Sequence, residues 1–519
     1  MATKSNLFSR LDELLATQAS STASLHSPSS LCAELGAPSV SLAVLDEGEI
    51  RTHCISSVSD DVSTRFQACS ISKAVTSLGV FKLIELRKLS LHGLISDYLP
   101  VSIVDKLEPN HVSGFAQHIT IAHLLSHTSG LQDSGVYGYP GYEVSQHGRT
   151  EFPTLETIIA GEAPCNTLPI KLKDYPGHRF NYSGGGTMLL QMIMEQVAGK
   201  SFPAVMQEYV FEPLGMTGST FDSRATDNTQ TVGQHEARYA RAYYSGYTPC
   251  EVPYRLGPEL AAAWLWSTPQ DLLKIGRAVL DSLHGKTNAF LTKSTARTML
   301  TEVQPGMAHS WFVNKETPYL AFRHEGKNMP GWRCNVVCFT NDPEATDSNT
   351  SASVLQEEKC AVPKDGCGIA VMTNSAQGAA VYDKILAAIC YIQGWPAAPR
   401  NWTDTAMVIP FADTQAKVDT KWVLWQGQWE GGWQMMAGQD GDTGPYVSFR
   451  GMPASRLYMA ARPRSMAELR NTDKASLDLV CSGLEVMFRL MVDVVGDEPV
   501  IEIWHGPRQD RRVLRRSKS

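Results

Sequence analysis

Apolar positions recur at helical spacing through residues 74–86, where Leu78, Phe81 and Ile84 fall on one side and Lys82 and Glu85 are the only charges, so the pattern predicts a helix buried on most sides. A second such run, 188–197, follows Gly184-Gly185-Gly186, and a third, beginning at Pro269 behind a cap at Ser267 or Thr268, extends to 279. Leu7, Phe8, Leu11, Leu14 and Leu15 predict a short amphipathic helix within residues 1–20. Strands are predicted at 39–45 and 50–58 around a turn at Asp46-Glu47-Gly48-Glu49, at 319–322 running into His324-Glu325-Gly326, at 335–340, and at 369–374. A helix over 381–392 closes this part of the chain. Residues 341–366 are polar and without period, which predicts an inserted loop. Beyond Pro396-Ala397-Ala398-Pro399 the pattern becomes aromatic-rich alternation at 422–433, 446–449, 457–461, 484–495 and 500–504, as expected of a small antiparallel β domain.

Length agrees with this division, because 519 residues exceed one compact core and a composition 43% hydrophobic and 19% charged is that of a globular chain. The expected domains are 1–395, a linker at 396–404, and 405–519. A net charge of −7 excludes nucleic acid and anionic membrane as electrostatic partners. The basic cluster Arg508, Arg511, Arg512, Arg515, Arg516 and Lys518 reads as a solvated tail. No run approaches the ~20 apolar residues that span a bilayer, and the first 20 residues lack an uninterrupted apolar core of the secretory kind, so a cytoplasmic location is expected. The 11 cysteines are scattered without metal-like spacing, and reduced thiols are the expectation.

Candidate chemistry starts at the mouth of the first helix, in Phe66-Gln67-Ala68-Cys69-Ser70-Ile71-Ser72-Lys73. Residues three apart share a helix face, which places the Lys73 amine within reach of the Ser70 hydroxyl, and a lysine in a dry site loses basic strength and can serve as a base. Backbone N–H groups at the helix start would favour an oxyanion. The competing reading is a capping serine followed by an exposed lysine. Tyr182 places a phenol just before a helix start, with glycines behind it that allow close approach. His123 and His127 stand four apart on a predicted helix, but the Glu of a zinc H-E-x-x-H pattern is missing, and no metal or cofactor is expected. The aromatic loop 135–155, with Tyr137, Tyr139, Tyr142 and Phe152, is either a flap over a pocket or a packed surface loop. Trp264 and Trp266 are candidates for a substrate pocket together with Tyr137, the alternative being core packing.

Taken in order, these motifs resemble the serine β-lactamase and penicillin-binding-protein-like family, in particular its class C β-lactamase, esterase and transesterase branch. Ser70 and Lys73 match its S-x-x-K, Tyr182 its tyrosine motif, and His324-Glu325-Gly326 its Lys-Thr-Gly or His-x-Gly triplet. His123 to Leu131, Pro213-Leu214-Gly215-Met216 and Ser267-Thr268 with Asp271-Leu272 resemble further family segments. The resemblance implies an α+β fold, an antiparallel sheet flanked by helices plus a helical subdomain, and at topology level a lipocalin-like C-terminal barrel. It also implies catalysis by Ser70, Lys73 and Tyr182, an oxyanion hole from the backbones of Ser70 and Lys327, and a shaping role for His324. It makes the histidines of the 123–131 segment structural. Gly184 stands where the family's tyrosine motif usually carries Asn, which favours esterase or acyltransferase chemistry over β-lactam hydrolysis. The expected substrate is a small-molecule ester, thioester, lactone or amide, free or as a carrier-bound acyl donor, plausible in specialised metabolism. Rival readings are a D-amino-acid amidase or peptidase, a β-lactamase, and a non-catalytic binding or self-assembling protein on the same fold.

Overall fold

The computed structural model describes residues 7–17, 32, 36–108, 114–131, 141–143, 152–165, 167–222, 239–243, 249–250, 254–314, 319–328, 331–341, 362–376, 378–396, 420–437, 445–449, 455–459, 477–481, 486–492, 499–505 and 510–517. The chain forms two compact units, Met1–Pro399 and Arg400–Ser519. In chain order, the elements of the first unit that matter for the site are α1 (Leu7–Thr17), β1 (Ser39–Asp46), β2 (Glu49–Ser56), β3 (Phe66–Gln67), α2 (Ile71–Glu85), α3 (Ile121–Leu125), α4 (Gly184–Ala198), α5 (Leu260–Ala263), β4 (Trp266–Ser267), α6 (Pro269–Leu283), β5 (Phe312–Asn314), β6 (Leu320–Asn328), β7 (Trp332–Thr340), β8 (Cys367–Thr373) and α7 (Gly378–Gln393).

Six of the strands form one antiparallel sheet in the order β2-β1-β8-β7-β6-β5. Its central strands are buried on both faces, so they read in sequence as continuous apolar runs. Val40, Leu42, Val44, Val337, Phe339, Ile369 and Val371 pack on one face against Leu7, Leu11 and Leu15 of α1 and Val381, Ile385 and Ile389 of α7. Ala43, Leu45, Val336, Cys338, Ala370 and Met372 face the larger core, which holds α2, α4 and α6. The expected α+β layering, an antiparallel sheet with helices on both faces, is therefore present.

Two boundaries differ from the sequence reading, and a third is settled in favour of one of its two candidates. The strand expected to end at a glycine continues through it, because Gly326 pairs with Cys334 and Lys327 with Arg333. Gly326 marks a close approach instead: a Cβ there would overlap the Ala68 carbonyl oxygen and lie 2.8 Å from Cys69 Cβ. The α6 cap is Thr268, whose Oγ1 accepts from Asp271 N–H at 3.3 Å, while Ser267 bonds Ser219 instead. The helix expected to hold both His123 and His127 ends at Leu125, and His127 lies beyond it with φ 57°. The two rings therefore share no helix face. The expected polar loop lies almost wholly outside the described residues, as do Tyr137 and Tyr139 of the aromatic loop.

In the second unit eight strands follow one another in a meander, β9 (Gly427–Trp429), β10 (Trp433–Ala437), β11 (Pro445–Phe449), β12 (Ser455–Met459), β13 (Leu477–Cys481), β14 (Val486–Val492), β15 (Pro499–His505) and β16 (Asp510–Leu514). Trp425, Trp429, Trp433, Met435, Leu490 and Ile501 are buried in it. Residues at its two ends also meet: Glu430 N–H donates to Arg515 O at 3.0 Å and Ser517 N–H to Gln428 O at 3.2 Å. Among the described residues no helix is long and apolar enough to cross a membrane.

Candidate active site

β3 brings the chain to Ser70 through a sharp turn. Cys69 is left-handed at φ 52°, a conformation a non-glycine residue adopts only when its surroundings hold it there. The holders are visible: Ser72 Oγ donates to Cys69 O at 2.5 Å, Cys334 Sγ to Ala68 O at 3.0 Å, and Ala68 N–H to Leu265 O at 2.8 Å. Cys69 itself is a fully buried thiol donating to Gln67 O, a packing role. Ser70 then stands at the N-terminus of α2 but makes no side-chain capping bond, so its hydroxyl is not spent on the helix.

Lys73 resolves the choice between a capping pair and a buried one. It is only 3% exposed, and its Nζ donates to Ser70 Oγ at 3.1 Å and to Ala262 O at 2.6 Å. Ala262 belongs to α5, which is tied to the site at several points. Thr76 Oγ1 donates to Ala261 O, Gln191 Oε1 accepts from Ala261 N–H, and Asn328 Nδ2 donates both to Ala263 O and to Gln67 Oε1, each of these last two at 2.9 Å. A main-chain acceptor has no residue signature, and the Asn328 link joins segments far apart in sequence, so neither is visible in the pattern of residues.

Tyr182 approaches from the start of α4, whose cap is the Ser183 Oγ accepting from Gly186 N–H at 3.0 Å. Lys73 Nζ lies 5.0 Å from the centre of the phenol ring. The His127 ring lies 4.4 Å from the same ring, tilted by 34°. Gly184 opens α4 and is buried, so the position has no side chain to offer a substrate.

His324 projects from β6, next to Phe312 of β5. Its Nδ1 donates to the Glu325 carbonyl at 2.6 Å, which leaves Nε2 as a bare acceptor. Burial, and secondarily the charge of Lys73, lower its pKa to about 3, so the ring is neutral at ordinary pH. His127 is also held well below 6.5 by burial first and Lys73 second. Its Nδ1 accepts from Ser183 N–H at 3.2 Å, placing its proton on Nε2. The Nε2 atoms of both rings are buried without a partner, a cost of about 1–3 kcal/mol for each orphaned group. Residues at functional sites tolerate such costs more often than core residues do. Gly326 seats tightly against the turn at Ala68 and Cys69, and the side chain of the neighbouring Lys327 is exposed.

The two tryptophans are placed differently from the pocket reading. Trp264 and Trp266 are 2% and 1% exposed, and Trp266 is enclosed by the rings of Tyr239, Tyr254 and Trp332. Both are core. Tyr137, their proposed companion, lies outside the described residues. Trp264 Nε1 donates to Glu259 Oε2 at 3.1 Å, and burial raises the Glu259 carboxyl from 4.5 to about 7. Its protonated form is the one that the fold favours, so its stabilising contribution is full below pH 4.5 and is lost as the pH rises through 7. We expect Glu259→Gln, which keeps an oxygen for the indole N–H, to flatten the stability–pH curve over that window and to recover up to about 3 kcal/mol above it. Thermal unfolding measured from pH 4 to 8 checks this, and an unchanged slope would show that Glu259 does not titrate there.

No group of three or more His, Cys, Asp or Glu side chains among the described residues is arranged to hold a metal ion. The Beta-lactamase family model matches residues 16–389, most of the chain. Among curated relatives, Esterase EstB of Burkholderia gladioli is 26% identical over 183 residues, 35% of this chain and 42% of the esterase. Penicillin-binding protein 4* of Bacillus subtilis is 29% identical over 154 residues, 29% of each chain. These matches span less than half the length of either relative. Among solved structures, the octameric penicillin-binding protein homologue from Pyrococcus abyssi covers 98% of this chain and matches over 100% of its own, with 17% identity and a TM-score of 0.53. EstCE1, described as a hydrolase with promiscuous acyltransferase activity, covers 74% of this chain and 98% of its own, with 20% identity and a TM-score of 0.51. Both structural likenesses are likenesses of fold.

Proposed function

Since this chain belongs to the beta-lactamase family, we propose that it is a serine hydrolase or acyltransferase that works through an acyl-enzyme on Ser70, of the esterase or transesterase type. The observation that carries the reading is the buried Lys73 amine, bonded at once to Ser70 Oγ and to Ala262 O beside the Tyr182 ring. In the neutral form that amine accepts the Ser70 proton as Oγ attacks the substrate carbonyl. The backbone N–H groups of Ser70 and Lys327 stabilise the oxyanion. Lys73 and the Tyr182 oxygen then deliver a proton to the leaving group and take one from the incoming water or alcohol. His324, with a pKa of about 3, is too weak a base for this work and shapes the site instead.

The substrate we propose is a small-molecule ester, thioester, lactone or amide, carried free or on a carrier. The missing side chain at Gly184 and the neutral imidazole of His324 both favour an uncharged ester over a β-lactam. For the second unit we propose a lipocalin-like barrel, supported by the hydrogen bonds between residues 428–430 and 515–517 at the two ends of the meander.

Intact-mass analysis after exposure to activated esters, D-amino-acid amides, penicillins and cephalosporins tests the reading. Ester-derived adducts on Ser70 that turn over are expected, with β-lactams poor substrates or slow acylating inhibitors. Rapid β-lactam turnover with esters inert across the same panel would overturn it, and turnover of the amides alone would transfer the assignment to an amidase.

A further inference from the structure

His127 makes no hydrogen bond to Ser70 or Lys73, yet it grips three consecutive residues around the phenol. Its carbonyl accepts from Asn181 N–H at 2.7 Å, its Nδ1 accepts from Ser183 N–H at 3.2 Å, and its ring lies against that of Tyr182 at 4.4 Å. The backbone here needs such partners. Ser183 is extended, at φ −135° and ψ 113°, so the N–H groups of Asn181 and Ser183 lie ahead of the helix and donate to no carbonyl within it. Asn181 is anchored on the same side, its Nδ2 donating to Leu131 O at 2.8 Å.

The residue also sits in two locally unfavourable states, a left-handed backbone at φ 57° and a buried Nε2 without a partner. Neither follows from helix or core packing, and each is of the kind that persists where surrounding structure and function require it. A phenylalanine would fill the volume without an orphaned N–H but would leave Ser183 N–H unpaired. An asparagine would supply an acceptor but no ring. Only an imidazole meets both demands, and only while it is neutral, because a protonated Nδ1 has no lone pair for Ser183.

We propose that His127 is a positioning residue for Tyr182, fixing the place and tilt of the phenol beside Lys73 and thereby its proton transfer to the leaving group. The proposal rests on the reading of Ser70, Lys73 and Tyr182 given above. Burial keeps the imidazole in the form that the device needs.

A double-mutant cycle on two esters of one acid tests it: ethyl butyrate, whose alkoxide must be protonated as it leaves, and p-nitrophenyl butyrate, whose phenolate need not be. His127→Phe and His127→Asn should each lower kcat for the ethyl ester on the order of 10²-fold, the scale of misplaced catalytic groups. The loss on the nitrophenyl ester should be much smaller. In a Tyr182→Phe background either substitution should add less than about a twofold loss, since coupled residues are not additive. Equal losses on both esters, an undiminished loss in the Tyr182→Phe background, or no loss at all would overturn the proposal. Should His127→Phe fail to fold, His127→Asn and His127→Gln complete the same cycle. Failure of the underlying Ser70 reading is distinguishable, since Ser70→Ala would then retain turnover of the nitrophenyl ester.

Discussion

Ser70→Ala is expected to abolish the covalent adduct and to lower turnover on the order of 10⁴-fold or more, the scale seen when a nucleophile is removed from a serine hydrolase. The substitution should leave the fold untouched. Ser70 makes no capping bond to α2, so the usual loss of about 1 kcal/mol on deleting a capping hydroxyl does not apply here. What disappears is one acceptor of the Lys73 amine, which retains Ala262 O. Intact-mass labelling and thermal unfolding on the same preparation separate chemistry from stability. An alanine variant that still turns over esters like the parent would remove Ser70 from the mechanism altogether.

The second large effect is expected at the two groups proposed to move the proton, and the two substitutions should behave differently. Tyr182→Phe keeps the ring against His127 and is expected to fold normally while losing on the order of 10²-fold or more in kcat. Lys73→Met should lose at least as much activity and some stability as well. It leaves Ala262 O buried without its donor, at a cost of about 1–3 kcal/mol. Rates on matched alkyl and nitrophenyl esters, with unfolding curves for both variants, check the pair. A negligible effect of Tyr182→Phe would exclude the phenol from proton transfer and leave Lys73 acting alone.

The parts of this site that could be read from sequence are those whose side chains carry both local pattern and chemistry. The run 74–86 has helical period and only two charges, Lys82 and Glu85, and Ser70 and Lys73 stand one turn apart at its mouth. The glycines after Tyr182 likewise announce a helix start, and the order of the motifs named the family. The parts that escaped are set by tertiary contact. Gly326 reads locally as a strand end, yet it is an interior position thinned so that β6 can pass the Ser70 turn. His127 shares a pattern with His123 only on paper, because α3 stops at Leu125 and the chain turns left-handed. Trp264 and Trp266 are large aromatics that local sequence fits equally to a pocket wall or to the core. Their rings turn into the core. Asn328, which ties β6 to both β3 and α5, follows no motif.

The Lys73 acceptor on Ala262 has a consequence for how this protein would look in a deep mutational scan. A carbonyl belongs to every amino acid, so no substitution at position 262 deletes it, and a scan would record there only the steric limit of a small buried residue. Sensitivity would surface instead at side chains that hold the carbonyl where it is: Gln191 on Ala261 N–H, Thr76 on Ala261 O, and Asn328 on Ala263 O. Such a map would display a ring of intolerant amides and hydroxyls around an apparently unremarked centre, and its most informative position would be the one with nothing to mutate.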